Sequence, residues 1–494
     1  MRPRVLILVI ALLMLAAACG GGGSERAPDY RPTRAPAPPT AGLPADSSAG
    51  LPSGSAERDA TSQQISTFAL DVDTASYGYA RRAIQEGRWP EPGQVRTEEF
   101  VNAFRQDYAE PGDNGFAVHV DGARTDGGAL VRVGLQTRRT EAAARKPANL
   151  TFVVDVSGSM AEPGRLDLVR DALHTLVDQL MPGDEVSIVS FSDSARLIIP
   201  MVPVSERSRL HAAINELAVD GSTNLEQGLV TGYQEASRAF RLVATNRVIL
   251  LSDGLANTGE TDWQGILNRV RDYAGKQVTL LCVGVGREYG DQLMEQLADN
   301  GDGSAVYVSS LDQARKVFVE QLPATLDVRA RDAKAQVVFN PGAVESYSLL
   351  GYEDRQIAPE EFRDDSRDGG EVGPGHSVTA LYWVRLRPGA SGQVATATVR
   401  WLDPDNRRPS EASRSVETGD LSRDLWSSTK PRLQVDVVAA AFAEHLRSHW
   451  TPGAGRFGIS LDDLGTRAAR LAATTEDPDV SELADLIARA KSLG

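Results

Sequence analysis

Residues 153–160 read VVDVSGSM: an apolar run ends in Asp155, Ser157 and Ser159, one carboxylate and two hydroxyls within five positions. Further along, VDGSTNLEQGL places Thr223 just before a helical stretch, and RVILLSDG puts Asp253 immediately past another apolar run. All five side chains offer oxygen, and the set contains neither cysteine nor histidine. An oxygen-only donor set suits a hard divalent cation, Mg²⁺ before Ca²⁺ or Mn²⁺. Hydroxyls are weak ligands alone, so the two carboxylates must supply the charge. The plainer account has Asp155 capping the following turn while the serines satisfy loop amides. That account leaves Asp253 unexplained.

Residues so far apart meet only if the chain between them is regular. From Ala148 to Leu326 short apolar runs (LTFVVDVS, DEVSIVSFS, RVILLSDG, VTLLCVGVG, AVYVSS) alternate with helical stretches such as RLDLVRDALHTLVDQLM and NLEQGLVTGYQEASRAF. Near-continuous apolar strands joined by helices predict a parallel sheet covered on both faces. Such sheets bind ligands outside the carboxyl ends of their strands, where the strand order switches. Asp155 and Asp253 are expected at two such ends.

Catalysis would need other residues. The chain has no G-x-S-x-G and no H-E-x-x-H, and Ser157 has no histidine near it in sequence to activate it. There is no Walker A motif, and GVGREYG lacks the dinucleotide-binding spacing, so no nucleotide is expected. The reading is of a binding protein and not an enzyme; the alternatives are a non-catalytic scaffold of an envelope complex acting through the flanking regions and, behind that, a metal-assisted hydrolase. His445 and His449 are four apart in EHLRSH but have no visible third metal ligand, so a plain helix face accounts for them. Asp71 and Asp73 in DVDTAS are accounted for by a strand end and a helix cap from Asp73 or Thr74.

The chain has 494 residues, enough for two to four domains, and a formal charge of −15, which argues against nucleic acid as a partner. Its two cysteines, Cys19 and Cys282, form no disulfide framework; Cys282 sits in an apolar run and reads as a buried small hydrophobe. Residues 1–18 have a basic start, an apolar core and a small-residue end, as a signal peptide does. Cys19 directly after AAA resembles the cysteine of a bacterial lipobox, although Ala16 holds the place where such patterns usually have Leu. Lipid on Cys19 would tie the chain to a membrane of the bacterial cell envelope, with the folded part outside the cytoplasm. Residues 19–64 are rich in Gly, Pro, Ala and Ser and read as a disordered tether. Residues 65–147 read as a strand, two helices and a β-hairpin, 148–326 as the strand–helix domain, 327–423 as a small β-sandwich-like domain recruiting the hairpin strands at 115–139, and 424–494 as a helical region. The fold class is therefore α/β: a doubly wound, mostly parallel sheet with a β region and C-terminal helices beside it.

Asp155-Val-Ser157-Gly-Ser159, with Thr223 and Asp253-Gly following in order, resembles the metal-ion-dependent adhesion site of von Willebrand factor type A domains. The resemblance implies that Ser157 and Ser159 hold the ion directly, Thr223 directly or through water, and Asp155 and Asp253 mainly through water. It also implies one open coordination position, completed by a carboxylate on a protein or matrix partner. TFALDVDTASYGYARRAIQEGRWPEPGQVRTEEFVNAF and FNPGAVESYSLLGYEDR are similar to the flanking segments of bacterial YfbK-type von Willebrand factor A proteins.

Overall fold

The computed structural model describes residues 56–493, apart from 71, 126, 140–144, 163–164, 254–262, 286–290, 302, 309–310, 316, 319–327, 366–368 and 449–456. Cys19, the signal peptide, most of the tether, Asp71 and His449 thus lie outside the described residues. In chain order the strands are β1 (Arg58–Asp59), β2 (Ile65–Ala69), β3 (Phe116–Thr125), β4 (Gly128–Thr137), β5 (Ala148–Asp155), β6 (Glu185–Phe191), β7 (Ala195–Pro203), β8 (Thr245–Ser252), β9 (Val278–Val285), β10 (Ser304–Val308), β11 (Arg331–Phe339), β12 (Val344–Leu350), β13 (Ser377–Leu386), β14 (Gln393–Leu402) and β15 (Pro409–Glu417).

The apolar runs between 148 and 308 form one six-stranded sheet in the order β10-β9-β8-β5-β6-β7. Its pairs are parallel except β6–β7. β5 is buried at every position, because helices cover both faces of the sheet; this is why it reads as a mostly apolar run without alternation. The chain leaves β5 towards β6 on one side, and β8, β9 and β10 lie on the other, so strand order reverses between β5 and β8. The stretch 195–203, given no element from sequence, is an antiparallel edge strand. Its two prolines and half-exposed side chains fit an edge and hide it from an apolar-run reading.

The other two sheets have the orders β1-β12-β13-β4-β3 and β15-β14-β11-β2, antiparallel throughout. They bury a shared core that includes Phe68, Val131, Val337, Tyr347, Tyr382 and Val399. β2 pairs with β11, β4 with β13 and β1 with β12. Strands that precede the parallel sheet in sequence are thus interleaved with strands that follow it, and the parallel-sheet domain is an insertion between β4 and β11. β1 corrects the tether boundary: Arg58 and Asp59 pair with Tyr347 and Ser346, and Ala60 is fully buried, so order begins before Ile65. Two residues with one small apolar neighbour give no periodic signal.

The C-terminal helices Pro431–Arg447, Leu461–Thr475 and Pro478–Ser492 pack on the N-terminal helices Ala75–Gln85 and Thr97–Asn102, sharing Phe100, Phe104, Val438, Phe442, Leu464 and Leu483. A buried ion pair ties them to the strands: Arg132 on β4 donates to Asp436 at 2.8 Å as well as to Asp121 of β3 at 2.7 Å, and Gln106 donates to Asp436 at 2.7 Å. No described helix is long and apolar enough to cross a membrane.

Candidate metal-binding site

Asp155 ends β5, Ser252 ends β8 and Asp253 follows it, so both carboxylates stand where the strand order reverses. The chain after Asp155 cannot continue as a strand, because Ser157 to Ala161 turn into a short 3-10 segment. That turn aims the two hydroxyls at each other: Ser157 Oγ and Ser159 Oγ are 3.1 Å apart. Ser159 Oγ donates to Asp253 Oδ1 at 2.7 Å. Asp155 accepts from the Ser157 amide at 2.9 Å and from Ser252 Oγ at 2.6 Å. One hydrogen-bonded cluster therefore holds Asp155, Ser157, Ser159 and Asp253.

Thr223 arrives on a second loop. The Gly158 amide donates to the Gly221 carbonyl at 3.0 Å, and the Asp220 amide to the Val156 carbonyl at 2.7 Å, which fastens this loop against the serine turn. Asp193 accepts from the Ser222 amide at 2.8 Å, and Asn224 caps the helix Leu225–Arg238 by accepting from the Gln227 amide at 3.1 Å. That helix lies close on the sheet: a Cβ at Gly232 would fall 2.2 Å from Val153 Cγ2. Thr223 is 5% exposed.

Two neighbours escaped the sequence reading. Ser252 is one. The other is Arg165, 4% exposed, whose Nη1 pairs with Asp253 Oδ2 and donates to the Ser159 carbonyl at 3.0 Å, while Nη2 reaches Glu162 at 2.7 Å. Only a basic residue placed before an amphipathic helix hinted at it.

Burial pushes the Asp155 carboxyl up from its usual range; the bonds from Ser252 and Ser157 oppose this, and the nearby Asp253 adds to it. A bound cation would offset that cost. Among the described residues no group of three or more His, Cys, Asp or Glu is placed to hold a metal. Two carboxylates and clustered hydroxyls are a different donor set, all oxygen, and they fit a hard divalent ion.

Other sequence candidates serve the fold. Asp73 Oδ1 accepts from the Ala305 amide at 3.0 Å, tying the N-terminal segment to β10, and Thr74 makes no side-chain cap. His445 Nε2 lies 2.5 Å from the Ile459 carbonyl. Cys282 is fully buried in β9.

Comparison with known proteins meets this geometry. Residues 149–320 match the von Willebrand factor type A domain, residues 53–126 a von Willebrand factor segment, and residues 324–493 the C-terminal region of uncharacterized protein YfbK. The chain is a YfbK-like protein with a type A domain. It is 34% identical to uncharacterized protein YfbK of Escherichia coli (strain K12) over 377 residues, covering 74% of this chain and 64% of that relative. The match therefore spans just under two thirds of the relative's length. Uncharacterized protein sll0103 of Synechocystis sp. is 29% identical over 327 residues, covering 63% of this chain and 75% of its own. The human inter-alpha-trypsin inhibitor heavy chain H4 is 34% identical over 167 residues, 31% of this chain and 18% of that protein. Among solved structures, von Willebrand factor type A from Catenulispora acidiphila covers 75% of this chain and 89% of its own at 16% identity and a TM-score of 0.47, too loose a likeness to carry weight.

Proposed function

We propose that this YfbK-like protein is a cation-dependent protein-binding module of the bacterial cell envelope, used in adhesion or complex assembly. A type A domain suggests protein–protein interaction or adhesion. The observation that carries the reading is the Asp155–Ser157–Ser159–Asp253 cluster at the reversal of strand order. Ser157, Ser159 and Thr223 would bring hydroxyl oxygens to one Mg²⁺, with Mn²⁺ or Ca²⁺ as substitutes, while Asp155 and Asp253 supply charge. The ion would offer an electrophilic position to a carboxylate on a partner protein or matrix. Lipid on Cys19 would hold the chain to a membrane.

The test is calorimetric titration of Mg²⁺ and Mn²⁺ into residues 56–493, beside Asp155→Ala and Asp253→Ala. Saturable binding in the wild type, lost in both variants while they remain folded, is the expected result. Wild-type protein that binds neither ion, or variants that bind as well as wild type, would remove the metal from the function.

A further inference from the structure

We propose that Arg165 sets the charge balance of the type A site, so that the cation and an acidic ligand bind interdependently. The inference rests on the metal-site reading above. Asp253 faces two ways: Oδ1 accepts from Ser159 Oγ, among the hydroxyls, while Oδ2 takes the Arg165 guanidinium. Arg165 can thus remain on the far oxygen while the near one faces an ion.

Its position is otherwise hard to explain. Arg165 directly precedes the helix Leu166–Gln179, and its side chain makes no cap there. A cation at a helix N-terminus opposes the helix dipole. Its Nε is buried without a hydrogen-bond partner among the described residues. Those costs are offset through Asp253, the Ser159 carbonyl and Glu162, all at the site.

The charges then decide what the site binds. Asp155 and Asp253 are 0% and 2% exposed and Arg165 4%, whereas the Glu162 side chain is 59% exposed and largely screened by water. Two buried carboxylates and one guanidinium leave one net negative charge. A divalent cation turns this into one net positive charge, and an incoming carboxylate neutralises it. Without Arg165 the ion alone would neutralise the site, and the carboxylate would bring an uncompensated negative charge. In a partly buried site such differences outweigh those in water several-fold. Arg165 therefore weakens the ion on its own and strengthens the ion with its acid.

The experiment measures Mn²⁺ affinity of residues 56–493 by the paramagnetic resonance of free Mn²⁺, with sodium acetate as carboxylate probe and sodium chloride as ionic-strength control. Wild type, Arg165→Gln and Arg165→Lys are compared, with thermal melts to confirm folding. Acetate is expected to tighten Mn²⁺ several-fold in the wild type. Arg165→Gln is expected to bind Mn²⁺ alone roughly tenfold tighter or more, and to lose the gain from acetate. Arg165→Lys keeps the charge and should follow the wild type. If both neutral and charge-keeping variants weaken Mn²⁺ alike, Arg165 only positions Asp253 and the proposal falls. It falls equally if acetate leaves the wild-type affinity unchanged, a result that needs no variant to fold. If no protein binds Mn²⁺ at all, the metal-site reading falls first and this inference with it.

Discussion

The six-stranded sheet has a buried arginine–aspartate pair at each end, and the two are finished differently. At the foot, Asp184 accepts from both terminal nitrogens of Arg145, from the Ala148 amide at 2.8 Å and from the Met181 amide at 2.7 Å. At the crown, among the described residues, Asp253 accepts from Ser159 Oγ and Arg165 alone. Both carboxylates are essentially sealed from solvent. Asp184 is saturated by its own fold, whereas Asp253 keeps oxygen lone pairs to offer. Ion pairing at a buried carboxylate is common to both; spare acceptor capacity is the mark of a site.

The largest test of that contrast is Asp184→Asn. It strands Arg145 and two amides at the start of β5, and should cost about 3–5 kcal/mol of unfolding free energy in urea denaturation, with cation binding intact at low denaturant. Asp253→Asn should cost only about 1–2 kcal/mol, because Arg165 keeps Glu162 and the Ser159 carbonyl, yet it should abolish Mn²⁺ binding. Equal stability losses would erase the distinction between crown and foot.

Gly232→Ala comes next. The added methyl collides with Val153, so the helix that follows Thr223 must shift, at about 1–3 kcal/mol by the same denaturation assay. Weakened Mn²⁺ binding should accompany it.

Arg247 could break the contrast outright. It lies near the foot of β8, 6% exposed, and its Nε donates to Thr279 Oγ1 at 3.1 Å. Burial and the neighbouring Arg331 lower its pKa to about 10, with Glu371 pulling the other way. Among the described residues no carboxylate forms an ion pair with it. If under-satisfaction there is mere cost, Arg247→Leu should raise stability by about 1–2 kcal/mol and leave Mn²⁺ affinity unchanged. A loss of stability would mean that the foot also holds something.

The smallest effect follows pH. Burial, and then the Arg247 charge, hold His376 down to about 4, against an ordinary 6.5. Between those values the unfolded chain takes up a proton that the folded one refuses. Stability should therefore be complete above about pH 6.5 and fall as pH drops towards 4. His376 as a residue is half-buried, so the fall attributable to it should be about 1 kcal/mol. His376→Gln should flatten it in melts across that range, and Arg247→Leu should flatten it in part.

The sequence revealed what local pattern encodes. β5, β8 and β9 are legible because burial on both faces leaves dense apolar runs at 152–154, 248–251 and 280–283, and the hydroxyls after Asp155 are legible because they stand so close to a strand end. β7 was not, since an edge strand needs neither alternation nor an apolar run. Arg165 looked like any base at the start of a helix, and the carboxylate that gives it meaning comes 88 residues later. Asp73 or Thr74 reads from sequence as a local cap, but Asp73 also accepts from the Ala305 amide, a contact only the tertiary fold creates. The place of β2 is the least legible, because it pairs with β11 across the whole inserted domain.

That insertion governs how the molecule bears force. A pull entering upstream of Arg58 meets β1 and β2, which are zipped to β12 and β11, strands that come after the type A domain in the chain. Tension between the two chain ends can thus run through the sandwich and the C-terminal helices and bypass the parallel sheet. Tension between the N-terminus and any load applied at the crown would cross that sheet from crown to foot. The type A domain is thus a side branch of the load path between the two ends.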